Sequence, residues 1–154
     1  MRKHQAMLIA TAFLAGCTAP AGTHGPNRAN TAKMFEMPFP AVMLMQYEDG
    51  TEDFFEGKMF GHISGSARYT FPDTPRGDCN GTYSTDGMSS MTCTDGFSFS
   101  FMYGKQAAKF SGVNVVRVDV DGVPTASAFG WGAKANRAAA LNALASCPVG
   151  NCSL

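Results

Sequence analysis

Cys79 and Cys93 stand either side of a Thr85-Asp86-Gly87 tripeptide, and that stretch restricts the fold more tightly than any other. Glycine accepts the left-handed backbone that a three-residue hairpin loop requires at its last position. A loop centred on Asp86 sets Cys79 directly opposite Cys93. Cross-strand Cα separations of about 4.5 to 5.5 Å lie within disulfide reach. A second tripeptide, Thr94-Asp95-Gly96, sets Phe97 opposite Cys93, Phe99 opposite Met91 and Phe101 opposite Ser89. One face then carries Tyr83, Met91, the bridge and the three phenylalanines, while Asn80, Thr82, Ser84, Ser90 and Thr92 face the other way. Two-residue loops would move the phenylalanines onto the serine and threonine face, so turn, pattern and cysteine register support one another.

The rest of the body reads as strands punctuated by turns. Phe39 to Tyr47 is an apolar run of strand length, Glu48-Asp49-Gly50 is turn-like, and Thr51 to Phe60 is a second extended segment. Gly61, Ile63, Gly65, Ala67, Tyr69 and Phe71 then alternate with His62, Ser64, Ser66, Arg68 and Thr70, which predicts one half-buried strand. Pro72 and Pro75 end it, because proline cannot donate to a ladder. Lys105 to Ser111 is a weakly patterned connection. Val113 to Val120 and Val123 to Phe129 flank Asp121-Gly122, the signature of another hairpin. Ala133 to Ser146 is the one helix expected, with Ala138, Leu141, Leu144 and Ala145 as a narrow apolar stripe. Cys147-Pro148 stops it. The 17 glycines and 12 phenylalanines suit β structure with many turns better than a helical bundle.

At the N-terminus, Arg2, Lys3 and His4 precede an uncharged run from Ala6 to Ala15 that ends in Leu14-Ala15-Gly16-Cys17. Residues 1–16 have the layout of a signal peptide. The run is too short to cross roughly 30 Å of hydrocarbon, which needs about 20 residues. Its last four residues resemble the lipobox of bacterial lipoproteins. That resemblance implies cleavage before Cys17, a diacylglyceryl thioether on its sulfur, and membrane lipid as the partner of Cys17. Two or three acyl chains anchor stably where one is marginal. Thr18 stands where the lipoprotein pattern places Asp for inner-membrane retention, so in a Gram-negative host the resemblance implies the outer membrane, periplasmic face. Residues 17–33 then form a lipidated cysteine and a tether with two prolines, two glycines and no large apolar side chain, reaching about 50 Å when extended. Residues 34–154 are the single folded domain.

With Cys17 carrying lipid, Cys79, Cys93, Cys147 and Cys152 remain, an even set that reads as two disulfides in an exported chain. The hairpin register selects Cys79 with Cys93 and leaves Cys147 to close a short loop with Cys152, with crossed pairings such as Cys79 to Cys147 still open. In the chain-entropy view the hairpin bridge stabilises by about 3 kcal/mol and the short loop by about 2 kcal/mol. The C-x-G-x-Y and M-x-C-x-D-G pattern of Cys79, Gly81, Tyr83, Met91, Cys93, Asp95 and Gly96 resembles a segment of exported β-rich bacterial lipoproteins. The C-terminal helix with its C-x4-C ending is similar to small periplasmic domains. Neither likeness brings an activity.

Ten methionines invite a copper reading, since thioethers bind Cu(I). Met43 and Met45 would share one strand face, with His62 or His24 assisting, and Met34 with Met37 and Met88 with Met91 are further close pairs. Core packing explains the same pattern and is preferred. Asp119-Val120-Asp121-Gly122 begins like a calcium loop, but its glycine comes early and Gly130 stands where a bidentate glutamate is required. Glu48, Asp49, Glu52, Asp53 and Glu56 form an acidic cluster that reads as a solvated turn and strand edge. His62 and Ser64 would lie on one face as a serine–histidine pair, with no nucleophile elbow, phosphate loop or zinc spacing beside them. Without residues 1–16 the chain keeps ten basic and twelve acidic residues, a net charge near −2 that argues against a nucleic-acid partner.

The sequence therefore predicts a mainly β domain of α+β type, an antiparallel meander or small sandwich with one C-terminal helix, stapled by disulfides. The expected role is a non-catalytic, membrane-anchored envelope component with no cofactor, which binds another envelope protein or serves in an assembly. A periplasmic copper-handling lipoprotein is the alternative, and a hydrolase is third.

Overall fold

The computed structural model describes residues 32–104, 109–120, 123–147 and 152–153. The signal peptide, Cys17, most of the tether and the Asp121-Gly122 turn lie outside them. The strands are β1 (Glu36–Tyr47), β2 (Glu52–His62), β3 (Ala67–Thr74), β4 (Gly77–Tyr83), β5 (Met88–Cys93), β6 (Ser98–Met102), β7 (Gly112–Val120), β8 (Val123–Trp131) and β9 (Cys152–Ser153). One helix, α1 (Arg137–Ser146), follows β8 after a 3-10 turn at Gly132–Lys134.

The hairpins at the centre of the chain have the expected register. Cys79 faces Cys93 across β4 and β5, Met91 faces Phe99 and Ser89 faces Phe101 across β5 and β6. Gly87 and Gly96 take φ of 99° and 93°, the left-handed loop position that selects glycine. The Asp86 and Asp95 side chains brace their loops by accepting from Met88 N–H at 3.2 Å and Phe97 N–H at 2.8 Å. The Cys79–Cys93 disulfide closes the hairpin across a 4.0 Å Cα separation, which removes the crossed pairing of Cys79 with Cys147. Cys147 is itself disulfide-bonded, and its partner's side chain lies outside those described.

All neighbours are antiparallel in one continuous sheet of order β6-β5-β4-β3-β2-β1-β8-β7-β9, curled until it nearly closes. Of the two arrangements foreseen, the meander is the one formed: β1 to β6 follow in order, and the β7–β8 hairpin returns to pair β8 with β1. β6 lies against β7 at the seam with no ladder between them among the described residues. Period-two alternation puts Met43, Met45, Phe55, Phe71, Met91 and Phe129 inside the curl, where they form the main core with the bridge. Each fully buried side chain of this size contributes about 1.5–3 kcal/mol. Outside, Leu44, Val113, Val115, Ala126 and Ala128 form a second apolar layer covered by α1. Asn136 caps α1 by accepting from Ala139 N–H at 2.8 Å.

Three local expectations are corrected. The alternation over Gly61 to Phe71 is two strands, because the chain reverses between His62 and Ser66. His62 N–H donates to Ser66 O at 2.8 Å, and Gly65 has φ of 89°. Gly61 pairs Ala67, so the pattern continues in phase across the turn while Ile63 is left exposed. Pro72 does not end β3, which runs to Thr74 through a register shift between Phe71 and Thr74 that spares the missing N–H. In α1 the face on the sheet is Ala140, Ala143 and Leu144, while Ala138, Leu141 and Ala145 are exposed. The helix approaches Ala126 and Ala128 closely, and that contact favours its small side chains over Leu141.

Candidate ligand pocket

β1, β3, β5 and β7 begin, and β2, β4, β6 and β8 end, at the same end of the curled sheet. There the inner face stops being filled and encloses a cavity of about 140 Å³. That is the size range in which an apolar protein cavity holds a benzene-sized group. Its walls are chiefly aromatic: Phe39 from β1, Tyr69 from β3, Phe129 and Trp131 from β8, and Phe110 from the connection before β7.

Glycines make room for these rings. A Cβ at Gly112 would lie 2.7 Å from the Trp131 ring, so only glycine lets the indole cross the start of β7. The indole is then fixed by donating Nε1–H to Lys109 O at 3.0 Å. A Cβ at Gly81 would collide with the Tyr69 ring and with Ser90 O. Across that gap the Tyr69 hydroxyl donates to Ser90 O at 2.9 Å and lies 2.8 Å from Ser89 Oγ. Tyr83 Oη–H donates to Gly104 O at 2.7 Å, tying β4 to the end of β6.

Two further polar atoms on the wall are different. The Tyr103 hydroxyl and Asn114 Oδ1 are buried and have no hydrogen-bond partner among the described residues. Ser127 Oγ lies close enough to the Tyr103 hydroxyl to counter part of the pKa rise that burial causes there, but the two do not meet in good hydrogen-bonding geometry. An unpaired buried polar group costs about 1–3 kcal/mol, so buried groups of this kind are ordinarily satisfied. Burial pushes the Tyr69 and Tyr103 hydroxyls well above the ordinary phenol range, which keeps both neutral. With both phenols neutral, the inner wall offers one hydroxyl and one amide oxygen to whatever enters, while His62 and Lys109 also border the cavity. A broader groove of about 340 Å³ outside β3 to β5 is walled by Asn80, Thr82, Ser90 and Thr92, with Lys33 and Arg68 beside them.

The residues singled out from sequence fall differently. Met43 and Met45 do share one face, but it is the closed core, and both are fully buried. His62 pairs with Glu36, so it lies roughly 23 Å along the strand from the level of Met43. The structure does not bring Met43, Met45 and His62 together, and His24 lies outside the described residues. Met88 and Met91 point to opposite faces of β5, and among the described residues no cluster of His, Cys, Asp or Glu suits a metal. His62 does meet Ser64, with Nδ1 2.8 Å from Oγ. Ser64 N–H also donates to that nitrogen at 3.1 Å, so the contact closes the β2–β3 turn. The acidic cluster disperses into separate contacts. Glu52 pairs with Arg137, Asp53 accepts from Arg76 Nε at 2.7 Å, and Asp49 caps Thr51 N–H at 2.9 Å. Cys17, the Asp121-Gly122 end of the calcium-like motif and the side chain of Cys152 lie outside the described residues.

Sequence reasoning missed Phe39, Tyr103, Phe110, Asn114 and Trp131 as a site. They come from four separate segments, and only the closure of the sheet assembles them. No protein-family profile, curated protein or solved structure matches this chain.

Proposed function

We propose that this protein is a lipid-anchored envelope protein, exported and acylated on Cys17 at the periplasmic face of the outer membrane, that acts as a non-catalytic binding module for a small apolar molecule. The observation that carries the binding role is an aromatic cavity whose buried Tyr103 hydroxyl and Asn114 Oδ1 lack partners. Largely apolar pockets with a few convergent polar groups are the usual form of small-molecule sites. A ligand hydroxyl suits this wall, because it can donate to Asn114 Oδ1 and accept from the Tyr103 hydroxyl.

The test uses the single tryptophan, Trp131, which lines the cavity. Titration with 1-decanol is expected to shift Trp131 emission saturably and to raise the unfolding midpoint, as binding to the folded state requires. Asn114→Leu removes the unpartnered oxygen, so it is expected to hold or raise stability while weakening 1-decanol binding about tenfold, the worth of one hydrogen bond of about 1.4 kcal/mol. Emission unchanged up to the solubility limit of 1-decanol, or equal binding by Asn114→Leu, would refute the assignment.

A further inference from the structure

The large apolar side chains that the fold leaves exposed are not scattered. Met34, Phe35, Ile63 and Phe110 are 81%, 63%, 69% and 73% exposed, and all lie at the end of the sheet where the cavity opens. Met37, Met88 and Met102 join them at the same end, and among the described residues only Leu141 is a large exposed apolar side chain elsewhere. Such concentration marks an interaction surface, since single exposed apolar residues are ordinarily dispersed.

Phe35 is held outward by construction. Its φ of 67° is a left-handed conformation that a bulky residue rarely adopts. A turn closed by Glu36 N–H to Lys33 O at 3.0 Å holds it there, and the Glu36 carboxylate, gripped by Arg68 Nη2 at 2.9 Å, pins the start of β1 to β3. Strain at a mostly exposed aromatic points to a role outside the domain.

Charge follows the same axis. Lys109 borders the cavity at the apolar end and Lys33 stands at the same end over the outer groove of β3 to β5, where Glu36 is engaged by Arg68 and Asp86 by its own loop. Glu48, Asp49, Asp73 and Asp78 gather at the opposite end, where Asp95 is paired with Arg76 at 3.4 Å. The chain also enters the body at the apolar end, with Ala32 just ahead of the Met34–Phe35 turn and Cys17 upstream within about 50 Å of extended chain.

We infer that this rim, Met34, Phe35, Ile63 and Phe110 flanked by Lys33 and Lys109, docks on an anionic lipid surface, with the cavity mouth facing the bilayer. Amphipathic insertion of apolar side chains beside basic residues is a general mode of interfacial binding. The acidic end then points away from the anionic surface. Phe110 and Met37 border the cavity, so a ligand passes between bilayer and cavity without crossing water. On the pocket reading above, that makes the ligand class a bilayer amphiphile with a hydroxyl near its apolar chain.

The experiment places the protein, purified from its own membrane, in vesicles of phosphatidylethanolamine and phosphatidylglycerol at 3:1 with acyl chains brominated near their midpoint. Intact mass reports the state of Cys17 in the same sample. Trp131 is expected to be quenched at least twofold relative to unbrominated vesicles. Phe35→Gly with Ile63→Ser is expected to abolish most of that quenching while the unfolding midpoint is kept, since glycine suits the backbone of Phe35. An acylated, vesicle-bound protein whose Trp131 is not quenched would overturn the proposal, because the body would then stand off on its tether. So would quenching that the double variant leaves unchanged. Radical footprinting in which the rim is protected in native membranes and open in pure lipid would assign the surface to a protein partner instead. Lipid quenching without any response to 1-decanol would keep the docking surface and remove the pocket reading alone.

Discussion

Tyr47 shows how single side chains in this fold are held in one protonation state. Its hydroxyl donates to Asp53 Oδ2 at 2.8 Å and accepts from Arg76 Nη2 at 3.1 Å. Burial first, and the Asp53 carboxylate second, push it up to about 12. Tyr69 and Tyr103 shift the same way through burial. A group raised in the folded state loses its proton first from the unfolded chain, so its contribution is complete below about pH 10, the ordinary phenol value, and disappears as pH rises through the folded value. Phenolate absorbance from these three is therefore expected to be missing at pH 11 and to appear together with loss of the β signal in circular dichroism. Reversible ionisation of all three near pH 10 with the sheet intact would contradict this. The sequence shows four tyrosines but not these environments, since Asp53 and Arg76 reach Tyr47 only through the β1–β2 and β3–β4 turns.

At the scale of elements, local chemistry was legible and packing partners were not. The β4–β5 and β5–β6 registers followed from Gly87, Gly96 and the two cysteines, because a turn glycine and a cross-strand bridge are local signals. The β2–β3 turn was hidden, since Gly61 and Ala67 keep the alternation in phase on either side of it. The buried face of α1 was misread for a related reason: an alanine-rich helix carries little pattern, and Ala126 and Ala128 on the sheet select the side that fits. Gly81 is a clear test of such packing. Its place in β4 lets the Tyr69 ring lie across the strand. Gly81→Ala is expected to cost about 2 kcal/mol in urea unfolding, within the range for overpacking. Pairing it with Tyr69→Leu should return part of that loss, because the clash and the ring are one interaction. Simple additivity of the two changes would show that the ring is not what Gly81 accommodates.

For the whole molecule, the informative feature is the seam. The sheet curls until β6 meets β7, yet no ladder joins them among the described residues, so that edge depends on side-chain contacts. Tyr103 follows β6 and Asn114 lies in β7, and their unpartnered polar atoms both border the cavity. No stretch of sequence announces this, because the two residues belong to different hairpins and meet only when the sheet closes. A ligand that bonds to both would bridge the seam and supply part of the missing connection. Amide exchange samples local opening, which is easiest where strand pairing is incomplete. Without ligand, exchange in Ser98–Met102 and at the start of β7 should be faster than in β1, which is paired on both sides by β2 and β8. Saturating 1-decanol should slow exchange at the seam severalfold and leave the centre of β1 nearly unchanged. Uniform slowing across the sheet would indicate global stabilisation without a bridge. Slowing confined to the surface of α1 would place the alcohol on the outer layer and leave the seam without its proposed ligand.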